Sequence, residues 1–405
     1  VPIDMKTGDP ELMREINRFH VLDIVRRYGP ISRVEICSRG ALSSTTVSAI
    51  TGSMIEDGII ETRPVGGIHE PTRGRPRVML QLNPEAARVV GVKVGLHQIT
   101  VAVTDFCGQI LSSLEMPLRV RRQPVSVVAD IVEDVIRRAV VDAGLTMKAI
   151  DTVCTTMPGI VEYATGRVRI SPIFSTRDIA FGEEVARRLG VRVIVESDVN
   201  AATLAQQWFG CCRDLADFVV VSLEQAIGLG VLHGGELFRG ARGLSLDIGR
   251  MVIGTTPAGK LLRLVDLASE QAIVRGLEAD PAIADAAFAG RGLRHAVEHL
   301  GKGDGAVHDQ VAQAGRFVGI SVANIVSLFA PPKIVLVGSL LSLGEPFIKA
   351  IGCGFEEAVA EPLAGVTDIV VEPFSDVLWA QGAAAIALCE LYGSPWNTTG
   401  PVQTG

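Results

Sequence analysis

Apolar residues near the start of the chain fall at helical spacing: Leu12, Ile16, Phe19, Leu22 and Val25 share one face, which predicts a helix. Tyr28-Gly29-Pro30 ends it. Ser32 is placed to cap a short helix running to Ser38, with Glu35 three residues on as in a capping box, and Gly40 supplies the tight turn that follows. Ser43 then caps a third helix that runs to about Asp57 and stops at Gly58. Two β-rich runs, 59–63 and 77–82, flank the Gly/Pro-rich loop VGGIHEPTRGRP, which reads as a wing. Helices followed by such a hairpin predict a winged helix-turn-helix domain over residues 1–82.

From Val89 the pattern becomes an α/β alternation. The stretch VVGVKVGLHQITVAVTDFCGQILSSLEM reads as β-strands linked by glycine turns, followed by a helix over 125–143. IDTVCTTMPG is a buried strand ending in a loop; then come a helix (182–189), a strand (192–196) and a helix (201–209). FVVVSL and IGLGVLHGG begin a second set of strands, helices dominate 262–330, and 333–337 is again a strand. This layout predicts two lobes around a cleft. The first takes residues 86–198 plus 378–393, the second 199–377, and 394–405 form a loose tail.

Composition narrows the class. The chain has 405 residues, too many for one compact core, with 48% hydrophobic and 20% charged positions. The apolar stretch 317–330 is broken by Ser321, Asn324 and Ser327 and meets Pro331-Pro332, so it reads as too short and interrupted to span a bilayer. VPIDMKTGDPELMRE lacks the basic-then-apolar order of a secretory leader. The seven cysteines are odd in number and scattered, and Cys211-Cys212 is not a metal spacing; reduced thiols in a cytoplasm are expected. Net charge is −7, yet residues 1–85 carry 11 basic and 11 acidic side chains, so the acidity lies wholly in the remainder. Within the neutral part, Arg26, Arg27, Arg33 and Arg39, then Arg73, Arg75 and Arg77, form a modest basic footprint compatible with DNA.

On the third helix Val47, Ile50 and Met54 make an anchoring face, while Thr45, Ser48, Ala49 and Gly52 point the other way, flanked by Ser44. A helix with small polar residues outward suits a major groove, so Ser43, Ser44, Thr45, Thr46 and Ser48 are the candidate DNA contacts. A solvated helix in a winged-helix domain that binds no DNA has the same wheel. Arg73, Gly74, Arg75 and Arg77 at the wing tip suit a narrow minor groove, where negative potential is enhanced; a plain surface turn is the alternative.

The two halves together resemble the ROK family of repressors and sugar kinases. The resemblance rests on RYGPISRVEICSRGALSSTTVSAITGSMIEDGII and the wing GRP, on PGIV and TG within 158–166, on ESDVNAATLAQQWFG, RGARGLSLDIGRM and IVLVGSL. It implies an actin-like, ribonuclease-H-like ATPase-type bilobal domain, with sugar held in the cleft of the kinase members. Their D-x-G-G-T loop is matched here by Lys93-Val94-Gly95-Leu96-His97, and their G-T-G-x-G loop by Glu224-Gln225-Ala226-Ile227-Gly228. A lysine replaces the aspartate and a carboxylate stands where phosphate would lie, so no nucleotide cofactor is expected. The zinc-ligating histidine of E-x-G-H becomes Arg250 in Asp247-Ile248-Gly249-Arg250, and the family's cysteine segment becomes TTPAGKLLRLVD; no metal is expected.

By the same resemblance Asp198 matches the kinase members' catalytic base, and Gly159, Ser197, Asp198, Asp247 and Arg250 are the candidate effector contacts. Ser197 stands for an Asn, Asp247 for a Glu, and Val265 falls near a further sugar-binding Glu. Trading a carboxylate for a guanidinium points toward an anionic sugar derivative. Two alternatives stay open: Asp198 simply caps the next helix, and Asp247 pairs with Arg250 to fill the former metal position. The expected function is a transcription regulator, most naturally a repressor of sugar-related genes and not an enzyme. It would bind a two-fold symmetric double-stranded DNA site as a homodimer or tetramer, through surplus apolar surface such as Phe317, Ile320, Val322 and Ile325. Control by a partner protein, or an ATP-dependent sugar kinase, are the rivals.

Overall fold

The computed structural model describes residues 10–63, 78–118, 120–279, 292–373 and 375–393. Helix α1 (Pro10–Tyr28) leads into β1 (Ile31–Ser32), α2 (Arg33–Gly40), α3 (Ser44–Glu56), β2 (Ile60–Arg63) and β3 (Met79–Leu82), with the strands ordered β1-β3-β2. The expected capping box is present: Ser32 Oγ accepts from Glu35 N at 3.3 Å, and Glu35 Oε2 accepts from Ser32 N at 3.0 Å. The left-handed residue after α2 is Ala41 (φ 50), not Gly40. Gly40 is small for another reason: a Cβ there would meet Ile24 at 3.1 Å and His20 at 3.3 Å, so the glycine lets α1 and α2 close together. Val21, Ile36, Val47, Met54, Ile60 and Leu80 fill the interior of this domain. The wing residues Arg73, Gly74, Arg75 and Arg77 lie outside the described residues, as does the 394–405 tail.

The first lobe opens with the antiparallel meander β4 (Arg88–Val94), β5 (Gln98–Asp105) and β6 (Ile110–Pro117). Helix α4 (Val125–Asp142) crosses to β7 (Thr152–Met157), which pairs parallel to β4. The hairpin β8 (Ile160–Glu162) and β9 (Arg167–Ile170) and helix α5 (Phe181–Leu189) lead to β10 (Arg192–Ser197), parallel to β7, giving the order β10-β7-β4-β5-β6. Helix α6 (Asp198–Trp208) follows directly. It starts three residues before the expected position because Ser197 is already extended at the cap (φ −73, ψ 146) and Asp198 takes the first helical place.

The second lobe repeats the plan. A meander of β11 (Phe218–Leu223), β12 (Ile227–His233) and β13 (Glu236–Leu237) is extended by parallel β16 (Lys333–Val337) and β17 (Asp368–Val371), in the order β13-β12-β11-β16-β17. Between them lie the hairpin β14 (Val252–Thr255) and β15 (Leu261–Arg263), then α7 (Leu264–Ala268), α8 (Glu270–Ala279), α9 (Gly292–Gly301) and α10 (Gly305–Phe329); α11 (Glu345–Ala358) joins β16 to β17. Helix α12 (Asp376–Tyr392) returns to pack on β4, β5 and α6. Gly91 in β4 permits this approach, since a Cβ there would lie 1.9 Å from the Ala380 carbonyl oxygen. A meander plus parallel strands, occurring twice around a cleft, is the actin-like bilobal architecture.

Two expectations about α10 need correction. The helix is 25 residues long, long and apolar enough by composition to cross a membrane, because the apolar pattern starts at Gly305, well before Phe317. Its buried face carries Val307, Val311, Val318, Val322, Ile325 and Val326 into the second-lobe core. Val322 and Ile325, expected as surplus surface for self-association, are therefore spent inside the lobe; Leu328 and Phe329 are the exposed apolar residues at its end.

Candidate functional site

Helix α3 presents the surface its sequence predicts. Val47 and Met54 are fully buried and Ile50 packs beside them, while Ser44, Thr45, Ser48 and Ala49 are exposed. Ser43 and Thr46 are engaged with each other: Ser43 Oγ accepts from Thr46 N at 3.1 Å and lies 2.8 Å from Thr46 Oγ1, which fixes the start of the helix. Thr51, which the wheel left unassigned, is buried; its hydroxyl donates to Val47 O at 2.8 Å and accepts from Arg33 Nε at 2.8 Å. The basic footprint is smaller than its sequence suggests. Arg26 and Arg27 turn inward to Asp23, each at 2.7 Å, and Arg39 lies over the Tyr28 ring at 3.9 Å.

Between the lobes lies a cleft of about 660 Å³, and Gly159, Ser197, Asp198, Asp247 and Arg250 all line it. Gly159 (φ 127) is confined to glycine, because a Cβ would sit 2.1 Å from Ile170 O. Ser197 Oγ is buried without a hydrogen-bond partner among the described residues. Asp198 Oδ1 accepts from Val199 N at 2.8 Å within the first turn of α6, so the aspartate is a first-turn residue and not the cap. Burial, and then the nearby Glu224 carboxylate, push its pKa up to about 7 against the pull of Lys93. Asp247 and Arg250 do pair, Oδ2 to Nε at 2.9 Å, yet the guanidinium stays 55% exposed toward the cleft. Val265 lines the same wall, with Asp266 beside it.

The two altered phosphate loops meet across the cleft. Lys93, at the end of β4, is buried, and its Nζ lies 3.0 Å from Glu224 Oε1 on the β11–β12 turn and 2.5 Å from Asp376 Oδ1 at the start of α12. The ammonium also sits over the Trp379 ring at 3.9 Å. Burial acts to lower the Lys93 pKa, but Glu224, Asp376 and Asp198 outweigh it and raise the value, so the lysine is held charged. Glu224 is pushed up by burial, with Lys93 opposing. The cysteine-free segment folds as β14–β15 and α7, and among the described residues no group of three or more His, Cys, Asp or Glu side chains is arranged to hold a metal ion.

Sequence reasoning missed the arginines. Arg121, Arg122, Arg177 and Arg263 line the cleft together with Arg250, and among the described residues none of those four has a carboxylate partner. The only hint was the Arg121-Arg122 doublet before the Pro124 that caps α4; it carries no family motif. Against five guanidiniums stand Asp198, Asp247 and Asp266, so the cleft is positive in a chain whose net charge is −7.

Comparison with known proteins agrees with this architecture. The chain is 26% identical over 359 residues to a putative xylose repressor from Caldicellulosiruptor sp. (strain Rt8B.4), covering 85% of this chain and 88% of that protein. It is 23% identical over 359 residues to the DNA-binding transcriptional dual regulator NagC of Escherichia coli (strain K12), covering 85% of each. A crystal structure of a ROK family transcriptional regulator, a homolog of the E. coli MLC protein, superposes with a TM-score of 0.76 at 24% identity, over 94% of this chain and 97% of that one. A ROK family glucokinase from Streptomyces griseus, solved with glucose and AMPPNP, gives a TM-score of 0.61 at 23% identity over 74% of this chain and 99% of that one. The model of the ROK family matches residues 89–390, and the chain belongs to that family.

Proposed function

We propose that this chain is a DNA-binding repressor of sugar-related genes, acting in the cytoplasm as a homo-oligomer, whose grip on a two-fold symmetric operator is set by an effector in the interlobe cleft. The observation that carries this reading is the Lys93–Glu224 ion pair at 3.0 Å, which fills the meeting point of the two phosphate loops on a chain that also presents a helix-turn-helix. It argues against sugar phosphorylation and for a cleft that senses. The names of the relatives point the same way. Ser44, Thr45 and Ser48 would meet the major groove, and Arg73, Gly74, Arg75 and Arg77 the minor groove.

DNA selected from a random pool should be enriched in one inverted repeat. Arg75→Ala should weaken binding about tenfold, most at A·T-rich flanks. No enrichment, or unchanged Arg75→Ala affinity at low salt, would count against the reader and the wing respectively.

The effector in this reading is an anionic sugar derivative, because the positive cleft lacks enough carboxylates to balance its arginines. Gly159, Ser197 and Asp198 would hold hydroxyls while Arg250 and its neighbours hold the anion. In a thermal-shift panel, glucose 6-phosphate and glucuronate should stabilise the wild type more than glucose or xylose does, and Arg250→Ala should lose most of that difference. Stabilisation by neutral sugars alone would leave Arg250 as the mere partner of Asp247.

A further inference from the structure

Helix α6 reaches from the cleft to the N-terminal domain. At one end stand Ser197 and Asp198 in the cleft wall. At the other, Trp208 takes the guanidinium of Arg26 from α1 over its ring at 4.3 Å and stacks on Tyr392 at 5.6 Å. Its 11 residues cover about 16 Å. All of them are buried, and the helix is gripped from both lobes. A Cβ on Gly230 of β12 would lie 2.0 Å from Thr203 Oγ1, and one on Gly382 of α12 would lie 2.1 Å from Ala201 O. Contacts this close leave α6 no freedom to bend or to lag when the lobes move, so displacement at Asp198 is delivered at Trp208.

A second line leaves the same point. Glu196, one residue before Ser197, is buried and accepts from Arg239 Nε at 2.6 Å. Arg239 lies over the Tyr163 ring at 3.9 Å and, with Trp208, lines a cavity of about 610 Å³ whose opposite wall is α1, including Asp23, Arg26 and Arg27. The first line therefore ends on α1 itself, at Arg26, and the second at the cavity that α1 walls.

We infer that α6, with the Arg26–Trp208 contact as its joint, couples the state of the cleft to the seating of the helix-turn-helix domain. What cleft and domain bind rests on the reading above; the mechanical link does not. The test is amide hydrogen exchange of residues 16–28 in the full chain, comparing wild type with Asp198→Asn, each with and without glucose 6-phosphate as probe. Asp198→Asn should change exchange of 16–28 by about threefold or more, and Arg26→Met should abolish that response while residues 198–208 still respond. Arg26→Gln, checked by its melting curve, serves if Arg26→Met folds poorly. Exchange of 16–28 that ignores Asp198→Asn, or a response that survives both Arg26 variants, would overturn the inference. Because no DNA is used, failure to select an operator would refute the proposed function without touching this result.

Discussion

Lys93→Met should lower the unfolding free energy by about 3–5 kcal/mol, the cost of removing one partner from a buried ion pair. The lysine serves Glu224 and Asp376 together, and both largely buried carboxylates lose their shared cation when it goes. The loss should shrink as pH falls, because Glu224, already pushed up by burial, takes up a proton once its cation is gone. Urea denaturation at neutral and at mildly acid pH measures both effects. The triple variant Lys93→Met, Glu224→Gln, Asp376→Asn should recover most of the stability. A loss below about 1 kcal/mol, the worth of an exposed pair, would mean that solvent reaches the cluster.

The second large effect belongs to Asp198. Burial raises its folded pKa to about 7, well above the ordinary aspartate range near 3.9. An acid raised in this way contributes stability that is complete below the unfolded value and is lost as pH climbs through the folded one. Between those two values it should drain as much as about 1.4 kcal/mol per pH unit. Asp198→Asn keeps an oxygen for Val199 N and removes the charge, so the variant should be more stable than wild type at pH 8 and equal to it near pH 4. Parallel stability curves across that range would show that the carboxyl ionises freely in the cleft.

Much of this was legible in the sequence because it depends on neighbours in the chain. The capping box of Ser32 and Glu35, the outward face of α3 and the meander from Val89 are local patterns, and each lies where the pattern put it. The family motifs likewise brought Gly159, Ser197, Asp198, Asp247 and Arg250 to one cleft. What escaped is set by distance along the chain. In the sequence Lys93 and Glu224 each look like damage to a loop; that they neutralise one another, with Asp376 as a third member, follows only from folding residues 131 and 283 positions apart onto one point. Arg26 and Arg27 look like DNA-facing charge in the sequence, because composition cannot show that both side chains turn to Asp23. Val322 and Ile325 look like spare surface until the second-lobe sheet is laid against them.

The apolar interior of the helix-turn-helix domain does not stop at its border. Val21, Leu22, Val25 and Leu82 form one continuous cluster with Trp208, Ala383, Leu388 and Tyr392 of the lobes. A domain that shares its core this way is not a detachable module. Cut away, it would leave an oily scar on α6 and α12 and lose part of its own interior, so the two pieces should melt as a single cooperative unit. Lineages that exchange such domains to acquire new operators would have to bring the matching face of α1 along, and grafts made at residue 82 alone inherit a mismatched seam.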